Sequence, residues 1–405
     1  MDFGLSREDK LFVESVRSFA ERVIAPRWVE IDEGRWPMAE VAARLGEAGL
    51  LGMTLSSRYG GQEATFLQAA LAVEELAYAD PSLATPVYVL LETAWPYVVQ
   101  RHGRDEAKEE VLPEVAAGRA FVGIASTEPQ GGSDVASVQT KAVKEGGLWR
   151  LYGEKNMVTG VSTALALPYG GGAVAVARTG APEDKHRGVT LFLALLKRRG
   201  RQTPGFTYRD WDEVGRRGLP TGYLTLEGLP VEDVFVVGEL NGGFKIAMEG
   251  FNLARTVIGA ASVGAARWLL DRGLEWIRQR SAFGRPIASY QSVSFKFAEL
   301  YARLEAARLS VYKAAWIADR FYGGDVAFAV QDVATAGAVA KYLAVGTAVE
   351  TALEVMKWFG GASYFRETNV ARSLLGLLSY YVGAEGAENI LKLIIARNTV
   401  GREFV

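Results

Sequence analysis

Phe121-Val122-Gly123-Ile124-Ala125-Ser126-Thr127-Glu128-Pro129-Gln130-Gly131-Gly132-Ser133-Asp134 marks the place where the texture of this chain changes. The apolar run 121–125 reads as a buried strand, and the residues after it set Thr, Glu, Ser and Asp around a proline and two glycines. That is a strand opening into a tight polar turn. Gly131 and Gly132 let backbone N–H groups approach a bound group closely, while Thr127 and Ser133 offer hydroxyls that donate or accept. A planar ligand rich in hydrogen-bonding groups suits such a turn. An ordinary surface turn held by Asx and Ser caps fits the last ten residues equally well.

Towards the N-terminus the pattern is helical. Ser6-Arg7-Glu8-Asp9 has the form of a capping box, and Leu11, Val13, Val16, Phe19, Ala20 and Val23 follow at helical spacing up to Pro26. Helical patterns recur over 37–48, 66–78, 86–102 and 105–117, separated by Gly49, Pro81 and Gly118. An all-helical domain is expected over 1–120. Beyond residue 121, strand-like runs fall at 138–144, 149–152, 173–178, 189–196 and 223–226, with Gly146-Gly147 as a hairpin turn between the first two. These predict a β domain over 121–236, a barrel or a sandwich. Helical periodicity returns over 243–259, 262–279, 290–321 and 326–359, and a last helix over 387–397 aligns Ile390, Leu393, Ile394 and Arg397. The long alanine-rich patterns predict a four-helix bundle over 237–405. The fold class is α+β, in the order helical domain, β domain, helical bundle.

Composition narrows the chemistry. At 405 residues, 49% apolar and 23% charged, the chain has material for two or three domains with sizeable cores. Its 45 basic and 47 acidic residues balance to a net charge of -2, which leaves no electrostatic footprint for nucleic acid or an anionic membrane. The absence of cysteine excludes disulfides, thiolate catalysis and cysteine-ligated metals. His102 and His186 are the only imidazoles, and neither sits in a nucleophile-elbow context, so no metal site is expected. Met1-Asp2-Phe3-Gly4-Leu5 lacks the basic and apolar regions of a secretory signal, and no apolar run reaches membrane-spanning length. The expected location is cytoplasmic, with no membrane partner.

With these motifs in place, the chain resembles the acyl-CoA dehydrogenase family nearly end to end. The family's flavin-side motif is matched by Thr127-Glu128-Pro129 and Gly132-Ser133-Asp134, with Ser126 in place of an aliphatic residue. A second element is matched by Lys155, Val158, Thr159 and Gly160, with Met157 where an aromatic, usually Trp, stands. The resemblance implies FAD as cofactor, Thr127 and Thr159 near the flavin pyrimidine ring and N5, Met157 over the ring, and Ser133 at the edge between flavin and substrate. It also implies that Arg280, Phe283 and Gln291 reach the adenosine end of FAD across a subunit boundary, joined by Gly360-Gly361 and by Lys357 in place of a customary Gln. The usual downstream Arg-Asp pair is missing from 374–378.

For catalysis the resemblance implies Glu385 as the base, twelve residues before Arg397. The family's other base position directly precedes a bundle arginine, here Arg255, and holds Ala254, which cannot take a proton. By itself Glu385 also fits an acid at a helix N-terminus, the role that suits Glu388. Arg255, Ala384, Gly386 and Ser133 complete the expected acyl-CoA contacts, and Tyr88 and Trp95 fit either the far end of an acyl tunnel or core packing. The implied reaction converts an acyl-CoA thioester to the trans-2-enoyl-CoA, with the α-proton passing to Glu385 and the β-hydrogen passing as hydride to flavin N5. An electron-transfer flavoprotein is the implied acceptor and a homotetramer, a dimer of dimers, the implied assembly. Alternatives on the same scaffold are an acyl-CoA oxidase or flavin monooxygenase, or a non-catalytic flavoprotein subunit, to which the departures at Met157, Lys357 and 374–378 point. The small Gly383-Ala384 before the base suggests room for a branched or ring-bearing acyl group.

Overall fold

A computed structural model describes residues 4–405 of the chain. The Ser6 hydroxyl accepts from the Asp9 amide at 3.0 Å and the Asp9 carboxylate accepts from the Ser6 amide at 3.3 Å, so the capping box opens α1 (Arg7–Phe19). The helical pattern carries on toward Pro26, but the backbone widens into a π-turn over Ala20–Ile24, with the Ala25 amide bonded to the Ala20 carbonyl. α2 (Trp28–Asp32), α3 (Met38–Glu47), α4 (Phe66–Ala79), α5 (Ala84–His102) and α6 (Asp105–Ala116) follow. α4 lies against α1 and against the long helices of the last segment and is buried nearly all round, which is why its sequence carries so little polar stripe.

The middle segment contains β1 (Ala120–Ala125), β2 (Lys141–Glu145), β3 (Leu148–Thr159), α7 (Val161–Ala166), β4 (Gly170–Arg178), β5 (Val189–Arg198), β6 (Arg201–Gln202), β7 (Phe206–Asp210), β8 (Thr221–Val231) and β9 (Val236–Val237). These strands form a nine-stranded sheet ordered β6-β5-β4-β2-β3-β8-β7, with β1 on β4 and β9 on β5. Its halves are hydrogen-bonded through Lys141 and Arg178, and it folds over on itself, so that β1 lies against β3 and β5 against β8. Gly146 and Gly147, at φ 57° and 83°, make the hairpin between β2 and β3. β3 extends seven residues past the expected 149–152, as far as Thr159. β7, which the sequence did not signal, buries only Phe206 and is held by its pairing to β8.

In the last segment α8 (Gly243–Gln279), the short hairpin β10 (Ser281–Ala282) and β11 (Arg285–Pro286), α9 (Gln291–Tyr322), α10 (Val330–Phe359), α11 (Val370–Val382) and α12 (Glu388–Thr399) complete the chain. α8 is one helix where the sequence suggested two. Gly259 stays helical because it is a contact point: a Cβ there would come within 2.8 Å of Val311 on α9 and 3.4 Å of Ala340 on α10. α8, α9 and α10 pack on one another and α11 closes on α10 and α8. α5 also packs on α8 and on β1, and one apolar core runs through all three segments. No helix among the described residues is long and apolar enough to cross a membrane.

Candidate active site

The turn after β1 is pinned from inside. Glu128 and Gly131 exchange backbone hydrogen bonds at 3.1 and 3.0 Å, turning the Glu128 carboxylate inward. There it accepts from the Gln139 amide (2.7 Å), the Thr140 amide (2.8 Å), the Thr140 hydroxyl (2.5 Å) and Lys155 Nζ (2.8 Å). Lys155 is fully buried and also donates to the Ser126 carbonyl at 3.2 Å. Burial pushes the Glu128 carboxyl up, but the Lys155 ammonium and the hydrogen bonds outweigh it and hold the acid below its ordinary value. Burial brings Lys155 down to about 8 despite the attraction of Glu128. The pair is therefore ionised at neutral pH and ties the turn to β3. The Asn156 amide donates to the Thr127 carbonyl at 2.8 Å, so Thr127 sits beside the strand that carries Thr159 three residues on.

Both threonines are half-buried and Ser133 is exposed. The ladder between β3 and β8 skips between Lys155 and Val158, and this bulge throws out Met157, at φ 56° and 58% exposed. Ser126 Oγ is buried at the turn with no hydrogen-bond partner.

Glu385 lies in the loop between α11 and α12. Its φ of 57° is a left-handed conformation that side chains with a Cβ adopt at a cost of about 1–3 kcal/mol, so the surroundings must enforce it. Arg255, buried on α8, does part of this by donating from Nε to the Glu385 carbonyl at 2.8 Å, while its NH1 group donates to Asn252 Oδ1 at 2.7 Å. Lys341 on α10 does the rest, donating to the carbonyls of Gly383 (3.2 Å), Ala384 (2.6 Å) and Gly386. Glu385 keeps a solvent-reachable face although protein surrounds its carboxyl. Burial raises it to about 7, against the pull of Arg255 and Lys341. Arg255 is itself lowered by burial to about 10. Ala254 is fully buried in α8, and Glu388, in the first turn of α12, pairs with Lys392.

Tyr380 on α11, buried with an unpartnered hydroxyl, is close enough to feel the charges of both Glu385 and Arg216. Arg216 donates to the Thr221 hydroxyl at 2.7 Å, and Thr221 shares a 2.8 Å hydrogen bond with Thr159. α5 backs the region: Tyr88 pairs with Phe121 of β1 at 5.2 Å, and Trp95 with Phe251 of α8, one turn before Arg255, at 5.3 Å. Tyr88 and Trp95 are core residues by burial, yet each leaves a buried polar atom without a partner, as does Glu92 between them.

A second group collects at the far end of the bundle. Trp276 Nε1 donates to the Trp358 carbonyl at 2.9 Å and its ring stacks on Phe359 at 4.3 Å, joining the C-terminal ends of α8 and α10. Arg280, Phe283 and Gln291 follow α8, and Gly360 and Gly361 follow α10; all are exposed, Phe283 by 98%. A side chain at either glycine would meet nothing within 4 Å. Lys357 pairs with Glu354 at 2.9 Å on the surface of α10. No cluster of three or more metal-ligating His, Cys, Asp or Glu side chains occurs among the described residues. Sequence reading missed Lys341 altogether and gave Glu128 no role beyond its motif. A charged residue at an otherwise apolar helical position was the available signal for the lysine.

A helical–sheet–helical chain with an acid set near two buried cations in the loop before its last helix has the framework of an oxidoreductase. The chain belongs to the acyl-CoA dehydrogenase family: it matches the family's N-terminal domain over residues 6–119, its middle domain over 123–229 and its C-terminal domain over 241–400. It is 32% identical over 399 residues to the probable acyl-CoA dehydrogenase YngJ of Bacillus subtilis, covering 98% of this chain and 99% of that one. Butyryl-CoA dehydrogenase from Megasphaera elsdenii superposes with a TM-score of 0.88 at 28% identity, covering 99% of this chain and 100% of that one. A glutaryl-CoA dehydrogenase from Mycobacterium smegmatis in complex with FADH2 gives 0.84 at 25% identity, over 97% and 94%. The family is FAD-dependent, and the residues present here fit FAD: an orphaned Ser126 Oγ at the polar turn, and an exposed aromatic and arginine beside two glycines with open space above them.

Proposed function

We propose that this enzyme converts an acyl-CoA thioester to the trans-2-enoyl-CoA, with Glu385 as base. The observation that carries the reading is the Glu385 carboxyl, raised to about 7 and fixed in a left-handed turn by Arg255 and Lys341. A thioester α-proton is weakly acidic, so the base needs a pKa near working pH and a fixed direction of approach. Glu385 takes the α-proton, its backbone N–H polarises the thioester oxygen, and the electron pair of the broken Cα–H bond becomes the new double bond as the β-hydrogen departs with its own pair. When bound, FAD supplies the acceptor for that hydride at N5. Thr127, Met157, Thr159 and Ser133 would hold the flavin ring, and Arg280, Phe283, Gln291, Gly360, Gly361 and Lys357 of a neighbouring copy would hold its nucleotide end. Arg255, Ala384, Gly386 and Ser133 line the acyl thioester.

Ala384 is exposed and Gly383 half-buried, which supports an acyl group branched or cyclic near its β-carbon. The test is anaerobic bleaching of the flavin by straight, branched and ring-bearing acyl-CoAs across pH. Reduction should be fastest with the branched or cyclic thioesters. It should also fall as pH drops through about 7, because the carboxylate is the active form, instead of persisting to 4.5 as an ordinary Glu would allow. Preference for straight chains removes the branched substrate, and no bleaching by any thioester removes the reaction.

We place the enzyme in the cytoplasm; the exposed nucleotide-end residues support an assembly in which a second copy completes that site, and the family resemblance makes that assembly a homotetramer, a dimer of dimers. A mass of four protomers by sedimentation is the expected result, and a monomer retaining FAD would contradict it. An electron-transfer flavoprotein is the proposed acceptor. Retention of an acid with a raised pKa favours desaturation over oxygenation and over a non-catalytic role.

A further inference from the structure

The geometry points to Lys341 as the positioning residue of the base: its ammonium clamps the 383–386 turn and supplies one of the two cations that face Glu385. This deepens the reading of Glu385 given above and rests on it. Lys341 is 1% exposed, on a helix whose other buried positions are almost all apolar. An ammonium so placed must have its protons satisfied, and the acceptors are main-chain carbonyls 42, 43 and 45 residues further along the chain. Three donors on one nitrogen match three carbonyls converging from one loop, and charge-assisted bonds of this kind are roughly twice as strong as neutral ones.

The carbonyls bracket Glu385, with Gly383 and Ala384 before it and Gly386 after, while Arg255 holds the carbonyl of Glu385 itself. Four consecutive carbonyls are thus drawn to two cations from two helices, α8 and α10. With its carbonyls fixed on one side, the loop cannot relax the positive φ at Glu385 without releasing one of those bonds. The clamp therefore decides where the carboxyl points, and neither cation need touch substrate to do so.

The charged and titratable groups facing the acid are Arg255 on α8, Lys341 on α10 and Tyr380 on α11, with Arg216 and Asp80 beyond Tyr380. Lys341 and Arg255 both favour the carboxylate, and burial opposes them. Burial and the neighbouring Arg255 lower Lys341 itself to about 7, yet three carbonyl acceptors on one nitrogen call for its protonated form; removing that cation leaves Arg255 alone against burial, so the base should become harder to ionise.

The test uses the FAD-loaded enzyme with Lys341→Met, which removes tether and charge, and Lys341→Gln, which keeps two donors without the charge. In Lys341→Met the rate constant for flavin reduction at saturating acyl-CoA should fall about 10–10²-fold, the effect of a misplaced reacting group, with KM nearly unchanged. The pH at which reduction is half-maximal should move upward in both variants, and Lys341→Gln should recover part of the rate. Amide hydrogen exchange over 383–387 should quicken in Lys341→Met and less in Lys341→Gln, a readout that needs neither substrate nor turnover. If Lys341→Met does not fold, the same measurements on Lys341→Gln decide. Unchanged exchange, or a parental rate and pH midpoint in a folded variant, overturns the proposal. Failure of the parent to reduce with any thioester, while exchange still quickens, refutes the reaction and leaves the clamp.

Discussion

Glu385→Gln is expected to leave FAD content and acyl-CoA binding intact while slowing anaerobic flavin reduction by about 10²–10⁴-fold, the range attributable to one positioned general base. Gln keeps the volume and polarity of the side chain, and the anchoring bonds at this position run from Arg255 and Lys341 to main-chain carbonyls, which the substitution does not touch. Binding and chemistry are thereby separated, since a loss confined to the reduction step removes an interaction made in the transition state. Neither alternative replaces the lost acid: Ala254 occupies the other base position, and Glu388 is paired with Lys392 in the first turn of α12. Stopped-flow reduction with a thioester that bleaches the parent is the measurement. Reduction at the parental rate would show that Glu385 is not the base.

Lys155→Met should be the most damaging change to stability, at about 3–5 kcal/mol, because it leaves the Glu128 carboxylate buried and without its counter-charge. The hydrogen bonds from Gln139 and Thr140 remain, but they stabilise a charge that has lost its largest favourable partner. The turn carrying Thr127 should loosen with it, so flavin retention during gel filtration should drop along with the unfolding midpoint. The double variant Lys155→Met with Glu128→Gln removes both charges and should recover much of the midpoint. A single variant as stable as the parent would mean that the pair contributes nothing net to the folded state.

How much of this was legible before the coordinates depends on the range of the interactions involved. The capping box at Ser6, the glycine hairpin at 146–147 and the alanine-rich helices are local patterns, and each formed where its residues implied. One strand and one helix were misread because their cause is not local. β7 alternates too little to be seen and exists because β8 offers it a partner. The single α8 helix hides behind Gly259, which reads as a break until Val311 and Ala340 are brought against it. The candidate site divides in the same way: Glu385 was singled out through the family resemblance of its segment, whereas its positive φ and raised pKa could not be read from the chain.

What the amino-acid order determined by itself was the succession of helical, sheet and helical segments, along with the residue types placed near one another at the polar turn and at the acid. Periodicity and turn chemistry act over a few residues and need no partner to be recognised. Only the tertiary structure decided that Lys341 is a clamp and not a solvated charge, that Glu128 and Lys155 form a buried pair, and that Met157 stands out from a bulge. Those outcomes arise when segments distant along the chain exclude water from one another. A buried charge must then find whatever carbonyl or counter-ion the fold has carried to it.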